Sequence, residues 1–351
     1  MTTTYNTIVI GGGQAGLAAG YFLTQQGEEF VILDGASATG ETWRKRWDSL
    51  RLFTPSLFDS LPGMPFPKPD DYAPTKDEVA DYLTVYAETF HLPVRHGVKV
   101  SGLARNGVGY QILATDAHYS ARHVIIATGA YQQPRVPAFA GELGAGIHQL
   151  HSSAYRNPEQ VTAGTVLVVG AGNSGAEIAL ELAHAGKQVW LAGRDVGRIP
   201  ADALSKLLGS RTYWWLLGRV LSVDTPIGRK MRSNVLYHGN PLIRGARKNV
   251  ISAGVKCTPR VSGIQSGQPH LEDGQVLPVE AVIWATGFRP EYSWIDLPVF
   301  DERGFPRHRR GVVQEAPGLY FVGLHFQTAI TSALLGGVGQ DAGAIVRHIT
   351  A

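Results

Sequence analysis

Glycines at fixed spacing around a helix start can hold a pyrophosphate, and the chain carries two such loops. They are Gly11-Gly12-Gly13-Gln14-Ala15-Gly16 and Gly170-Ala171-Gly172-Asn173-Ser174-Gly175. In a G-x-G-x-x-G loop the first glycine permits a tight turn, the second lets the backbone approach the phosphates, and the third lets helix and strand pack closely. The phosphates then meet unpaired N–H groups and the positive end of the helix dipole. Either loop alone is also an ordinary strand-to-helix turn. Two of them, each behind a β-branched run and ahead of an alanine-rich stretch, imply two dinucleotides.

The next strand of each unit differs at its end. After the first loop, Phe30-Val31-Ile32-Leu33 runs into Asp34, an acid about 20 residues on, placed to take a ribose 2′-hydroxyl. That pattern suits FAD or NAD. After the second loop, Gln188-Val189-Trp190-Leu191 runs into Ala192-Gly193-Arg194, and an arginine there suits a 2′-phosphate. The second site therefore reads as an NADPH site, with NADH left open because Asp195 stands beside Arg194.

Other chemistries have no footing. Cys257 is the single cysteine, so the chain can form neither a C-x-x-C redox pair nor an internal disulfide. It is expected to be a buried small hydrophobe on a strand. The 12 histidines show no metal-ligand spacing, and no Ser/His/Asp signature occurs.

These loops need strands and helices to hold them. The first βαβ unit spans about residues 5–34, followed by an irregular, aromatic-rich stretch to about Pro74. Thr75 and Glu78 form a capping-box signature for a helix whose core face is Val79, Tyr82, Leu83, Tyr86 and Phe90. From Val98 to Ala127 short alternating strands predict a three-stranded meander ending in Thr128-Gly129-Ala130. The same ending returns after short strands at Thr286-Gly287-Phe288. The chain thus repeats glycine loop, β-meander crossover and A-T-G, and reads as an α/β protein of two Rossmann-like dinucleotide-binding domains. Gly318 to Gly323 and Gly336 to Ile349 predict a closing strand and helix that return to the first domain. The expected division is residues 1–159 and 289–351 for FAD, with 160–288 inserted for NADPH.

Composition agrees with a two-domain enzyme: 351 residues, 42 glycines and 20 prolines without period, and a formal charge of +3. Basic clusters such as Arg44-Lys45-Arg46 are interleaved with acids and apolar residues, which gives nucleic-acid binding no support. No run approaches a membrane span and the start lacks a signal peptide, so a cytoplasmic location is expected. Trp214-Trp215 with Leu207, Leu208, Leu216 and Leu217 predicts an apolar helix, read as a core or a homodimer face, or as a hydrophobic substrate entrance or membrane contact.

Over nearly its whole length the chain resembles the flavin-containing monooxygenases, more broadly the class B flavoprotein monooxygenases, with short bacterial CzcO-like oxidoreductases among them. The resemblance rests on the loop Gly11–Gly16, a Gly-x-x-Trp segment at Gly40-Glu41-Thr42-Trp43, Phe139-Ala140-Gly141 followed by His151-Ser152-Ser153-Ala154-Tyr155-Arg156, and the loop Gly170–Gly175. The spacing from Gly141 to His151 is longer than in the family pattern, and His148 falls between. The Gly323-Leu324 ending is similar to the monooxygenases, whereas disulfide reductases tend to carry an acid there.

The resemblance implies FAD and NADPH as cofactors, and O2 and a small apolar sulfide, amine or ketone as substrates. Its implied cycle reduces FAD with NADPH, forms a C4a-(hydro)peroxyflavin and transfers one oxygen atom. It further implies cofactor contacts from Gly11, Gly13, Gln14, Ala15, Gly16, Asp34, Gly40, Thr42, Trp43, Thr128, Gly129, Gly323 and Gln327, and on the second domain from Gly170, Gly172, Asn173, Ser174, Gly175, Arg194, Thr286 and Gly287. Arg51, Phe53 and His151 are the catalytic candidates, and Thr328 and Thr331 could approach the flavin. Many members carry an asparagine where Phe53 falls, which raises a second function: an NADPH oxidase or reductase that passes electrons to oxygen, a quinone or a partner protein without inserting oxygen.

Overall fold

The computed structural model describes residues 2–107, 109–195, 197, 209–238 and 247–351. Leu207 and Leu208 of the expected apolar helix lie outside the described residues.

A run of small and β-branched residues makes β1 (Thr2–Ile10) a central parallel strand, with β2 (Phe30–Leu33) on one side and β6 (His118–Ile126) on the other. Alternation splits their side chains between two cores. Val9, Ile32 and Ile125 pack under α1 (Gln14–Gln25), α3 (Lys76–Thr89) and the closing helix Val338–Ile349, while Ile8, Ile10, Leu33 and Ile126 face the opposite core. The sheet order is β3-β2-β1-β6-β5-β4, with β3 at Val94–Arg95, β4 at Val100–Asn106 and β5 at Gly109–Ala114. The closing strand β16 (Leu319–Phe321) adds parallel to β6, so the chain does return to this sheet.

The long stretch after β2 is ordered by the helix that follows it. At the start of α3 the Thr75 hydroxyl accepts from the Glu78 N–H at 3.2 Å and the Glu78 carboxylate accepts from the Thr75 N–H at 2.9 Å. Such a capping box contributes about 1 kcal/mol. On its buried face Tyr82 donates to the Met64 carbonyl and accepts from the Leu61 N–H, each at 2.7 Å, and Tyr86 donates to the Pro62 carbonyl at 2.7 Å. These phenols pin the irregular chain, within which Glu41–Arg44 forms the short α2.

The second sheet is wholly parallel, in the order β11-β10-β9-β14-β8: Lys256–Thr258, Gln188–Ala192, Thr165–Val169, Ala281–Trp284 and His148–His151. Strand β8 precedes residue 160 yet pairs with β14, so this sheet takes a strand from before the expected division. The helix α4 (Asn173–His184) follows the second glycine loop, with Ile178, Ala179 and Leu182 fully buried on β9 and β10. The two crossovers differ. The first is the expected antiparallel meander β4-β5-β6; the second is a two-stranded hairpin, β12 (Val261–Gln265) with β13 (Gln268–Leu271), because β14 pairs with β9 and β8 and leaves β13 alone. Cys257, expected to be buried, is half-buried, because β11 is an edge strand.

Several contacts join the two units, a ribbon and a strap among them. A short ribbon pairs β7 (Gln133–Pro134) with β15 (Phe288–Arg289) just beyond the two A-T-G turns. Between β10 and β11 the chain also leaves the second unit as a strap, α5 (Ser210–Val220) and α6 (Pro226–His238), and docks on the first. There the Val223 N–H donates to Thr328 at 2.8 Å, Ile330 donates to Leu221 at 3.0 Å, and Arg310 pairs with Asp224.

Candidate active site

Both glycine loops open into one cavity of about 1690 Å³. It runs from Asp34 along Gly11–Ala15, past Thr128 to Tyr131 and Ala285 to Phe288, to Gly170–Ser174 and Arg194. The loops are superimposable in logic. Gly11 and Gly170 sit at φ +109° and +110°, where a Cβ would run into the carbonyl of Ala127 or of Ala285, each the first residue of its A-T-G turn. A Cβ on Gly13 or Gly172 would meet nothing within 4 Å, and both residues line the cavity. Each of these two glycines is the N-cap of its helix with no side-chain partner, so the helix-start N–H groups face open space. Two pyrophosphates fit these two cradles. Gly16 and Gly175 do not line the cavity; each is packed against the carbonyl of the glycine that begins its loop.

The loops differ in what stands beside them. Asp34 follows β2 in register with Gly11, accepts from Ala36 at 3.2 Å and lies so close to Gly12 that a Cβ there would be 2.6 Å from its carboxylate. Burial raises the Asp34 pKa, opposed by its backbone hydrogen bonds and by His96. At the second loop the arrangement is reversed: Gly193 holds the place of the acid, Ala171 the place of Gly12, and a Cβ on Gly193 would lie 2.8 Å from the Ala171 nitrogen. The following residue, Arg194, is exposed and lines the cavity.

The remaining candidates separate clearly. Gly40, Thr42, Trp43, Thr128, Gly129, Thr286, Gly287, Gly323 and Thr331 line the cavity, as do Arg51 and Phe53. Arg51 is also a loop tie, donating to the Ala73 carbonyl at 2.9 Å with its guanidinium over the Tyr72 ring. His151 lies outside the lining. Its Nδ1 accepts from the Ser153 N–H at 3.1 Å, so the ring hydrogen is on Nε2, which donates to the Gly287 carbonyl at 3.0 Å. Burial lowers its pKa, and this neutral ring latches β8 to the second A-T-G turn. Tyr155 is likewise buried, donating to Glu181 of α4 at 2.7 Å. Gln327 and Thr328 are also outside; Gln327 is buried against Gly311 and holds the loop after β16.

Sequence reading missed the groups between the cradles. Arg46, three residues beyond Trp43, sits with its guanidinium 5.3 Å from the Tyr131 ring centroid and 5.8 Å from that of Phe288, and burial pulls its pKa down. Tyr131 keeps 55 % of its surface open, and it lines the cavity. His325 packs edge-on to Tyr131 and is held below the ordinary histidine range by burial. Position just after each A-T-G turn was the available signal for Tyr131 and Phe288. The strap roofs the cavity with Tyr213, Trp214, Leu217 and Met231, and Trp214 stacks on Phe58 at 4.6 Å. Trp215 on the other face of α5 is 59 % exposed. Among the described residues no cluster of His, Cys, Asp or Glu could hold a metal ion, and no helix is long and apolar enough to cross a membrane.

Residues 8–207 match the pyridine nucleotide-disulphide oxidoreductase family. The CzcO-like oxidoreductase of Geobacillus kaustophilus is 40% identical over 347 residues, 98% of each chain. The indole-3-pyruvate monooxygenase YUCCA4 of Oryza sativa subsp. japonica is 30% identical over 391 residues, 97% of this chain and 86% of that protein. The solved flavin-containing monooxygenase of Stenotrophomonas maltophilia superposes with a TM-score of 0.79 at 28% identity, covering 99% of both chains. With two pyrophosphate cradles on one cavity, the chain belongs to the pyridine nucleotide-disulphide oxidoreductase family and, within it, to the flavin monooxygenase-like oxidoreductases, which use FAD and NADPH.

Proposed function

We propose that the protein is a monooxygenase that oxygenates a small apolar sulfide, amine or ketone at the expense of NADPH and O2. The observation that carries this is the single cavity joining two unlike cradles under an apolar roof. The first unit, residues 1–159 and 289–351 less strand β8, holds FAD through the N–H groups at Gly13, Gln14 and Ala15, with Asp34 taking the ribose hydroxyls. Gly40, Thr42, Trp43, Thr128, Gly129 and Gly323 close around it, while Gly16 keeps helix and strand in contact. The inserted unit holds NADPH at Gly170, Gly172, Asn173 and Ser174, with Gly175 as its packing glycine, Arg194 on the 2′-phosphate, and Thr286 and Gly287 across the cavity.

Bound FAD supplies two-electron acceptance from NADPH and the activation of O2 for transfer of one oxygen atom. The chain's residues orient and shelter. The β7–β15 ribbon fixes the two A-T-G turns relative to one another, which sets the angle between the cradles, and His151 holds the second turn on its own sheet. Phe58, Trp214 and Leu217 exclude water and receive the apolar part of the substrate.

A second reading is favoured by one residue. Phe53 presents an apolar ring to the cavity where a hydrogen-bond donor would steady an oxygen species, and this suits an oxidase that releases peroxide. Turnover of methyl phenyl sulfide under oxygen-18 gas with catalase present decides: labelled sulfoxide with about one NADPH per product supports the monooxygenase, and NADPH use with no sulfoxide, and with peroxide accumulating when catalase is omitted, supports the oxidase.

A further inference from the structure

Arg232 reaches the cavity from α6 of the strap, and its Nε is buried with no hydrogen-bond partner. No acid is available nearby in the sequence: residues 225–271 contain neither Asp nor Glu, and Asp224 is already paired with Arg310. His308 lines the same cavity, near enough for the charge of Arg232 to act on it. Its Nδ1 accepts from the Gly311 N–H at 3.0 Å, so its hydrogen is on Nε2 and can be donated. Burial first, and then the charge of Arg232, hold this ring well below the ordinary histidine range, at about 4, so it stays neutral. The Arg232 Nε is thus a buried donor with no partner among the described residues, and His308 adds a second N–H donor to the same cavity. That arrangement is costly until an anion arrives.

We propose that Arg232 and His308 form an oxyanion site at the strap end of the cavity, taking one anionic oxygen group of the bound ligand. The oxygen comes either from a carboxylate on the substrate or from a cofactor phosphate. The site lies on the strap that crosses between the units, so filling it ties the strap down over the first unit. The proposal rests on reading the cavity as the cofactor and substrate site.

Three dissociation constants test it in the wild type, Arg232→Met and Arg232→Lys: FAD on the apoprotein, NADPH on the FAD-loaded protein, and phenylacetate by calorimetry, with phenylacetamide as the neutral control. Arg232→Met should weaken one of the three by about tenfold to a hundredfold, the size of a charge-assisted hydrogen bond, with partial recovery in Arg232→Lys and no change for phenylacetamide. A shift for phenylacetate assigns the oxygen to a substrate acid, and a shift for FAD or NADPH assigns it to that cofactor. Equal constants in wild type and variant, or parallel weakening of phenylacetate and phenylacetamide, would overturn the site. A wild type that takes up no FAD would instead overturn the function above, and the phenylacetate titration would still decide this proposal.

Discussion

The two glycine loops share a backbone and differ in one exchanged pair. At the first, Gly12 gives way to the carboxylate of Asp34; at the second, Gly193 gives way to Ala171 and the charge moves one residue on, to Arg194. Each loop can have only one bulky partner at that contact, because a Cβ on the glycine member would lie within 3 Å of the other. The lesson is that the phosphate cradle is generic, whereas the adjoining strand end decides which ribose it accepts.

The largest expected effect breaks either loop outright. Gly16→Val or Gly175→Val drives a side chain into the carbonyl of the glycine that opens the loop, so each should cost more than about 4 kcal/mol and show as lost soluble yield or a collapsed thermal transition. Gly13→Val and Gly172→Val make the contrast. Their Cβ atoms have room and neither φ is positive, so melting should shift by only a few degrees while the cradle is filled. The first variant should purify colourless, and the second should keep its flavin but lose reduction by NADPH. If Gly172→Val is reduced as fast as wild type, the assignment of the second loop is wrong.

Smaller changes probe the strand ends. Asp34→Asn should weaken FAD binding by about tenfold or more, and Arg194→Gln should lower the preference for NADPH over NADH by about tenfold, each leaving the other cofactor untouched. A common loss of both cofactors in either variant would count against the comparison. The smallest effect is in pH. Burial raises the Asp34 pKa, so its protonated form favours the cofactor-free fold: that stability is present in acid and is lost as pH rises through the raised value. Ribose binding needs the carboxylate as acceptor, so FAD affinity should rise with pH over the same window and be flat there in Asp34→Asn.

Much of this was legible in the sequence because it is local. Glycine spacing, the β-branched runs and the Thr75–Glu78 capping box each specify a turn, a strand or a helix start within a few residues, and all three form as expected. What was hidden is long-range. His151 lies near the family fingerprint in sequence, yet its role is fixed by Gly287, 136 residues away. Gln327 follows the last strand, as a flavin contact would, but its side chain turns toward Gly311. Arg46, Arg232 and His308 meet the cavity from three separated segments, and no periodicity marks them as neighbours. The strand β8 is four residues long, and only its pairing with β14 places it in the second sheet.

NADPH on the second loop is proposed to reduce FAD on the first across one cavity. Anaerobic stopped-flow mixing of the yellow protein with NADPH tests it directly. Single-turnover bleaching of the flavin is expected in wild type, much slower with NADH, and none in Gly172→Val at equal flavin content. A wild-type flavin that stays oxidised under NADPH, or a Gly172→Val protein that bleaches at the wild-type rate, would contradict it.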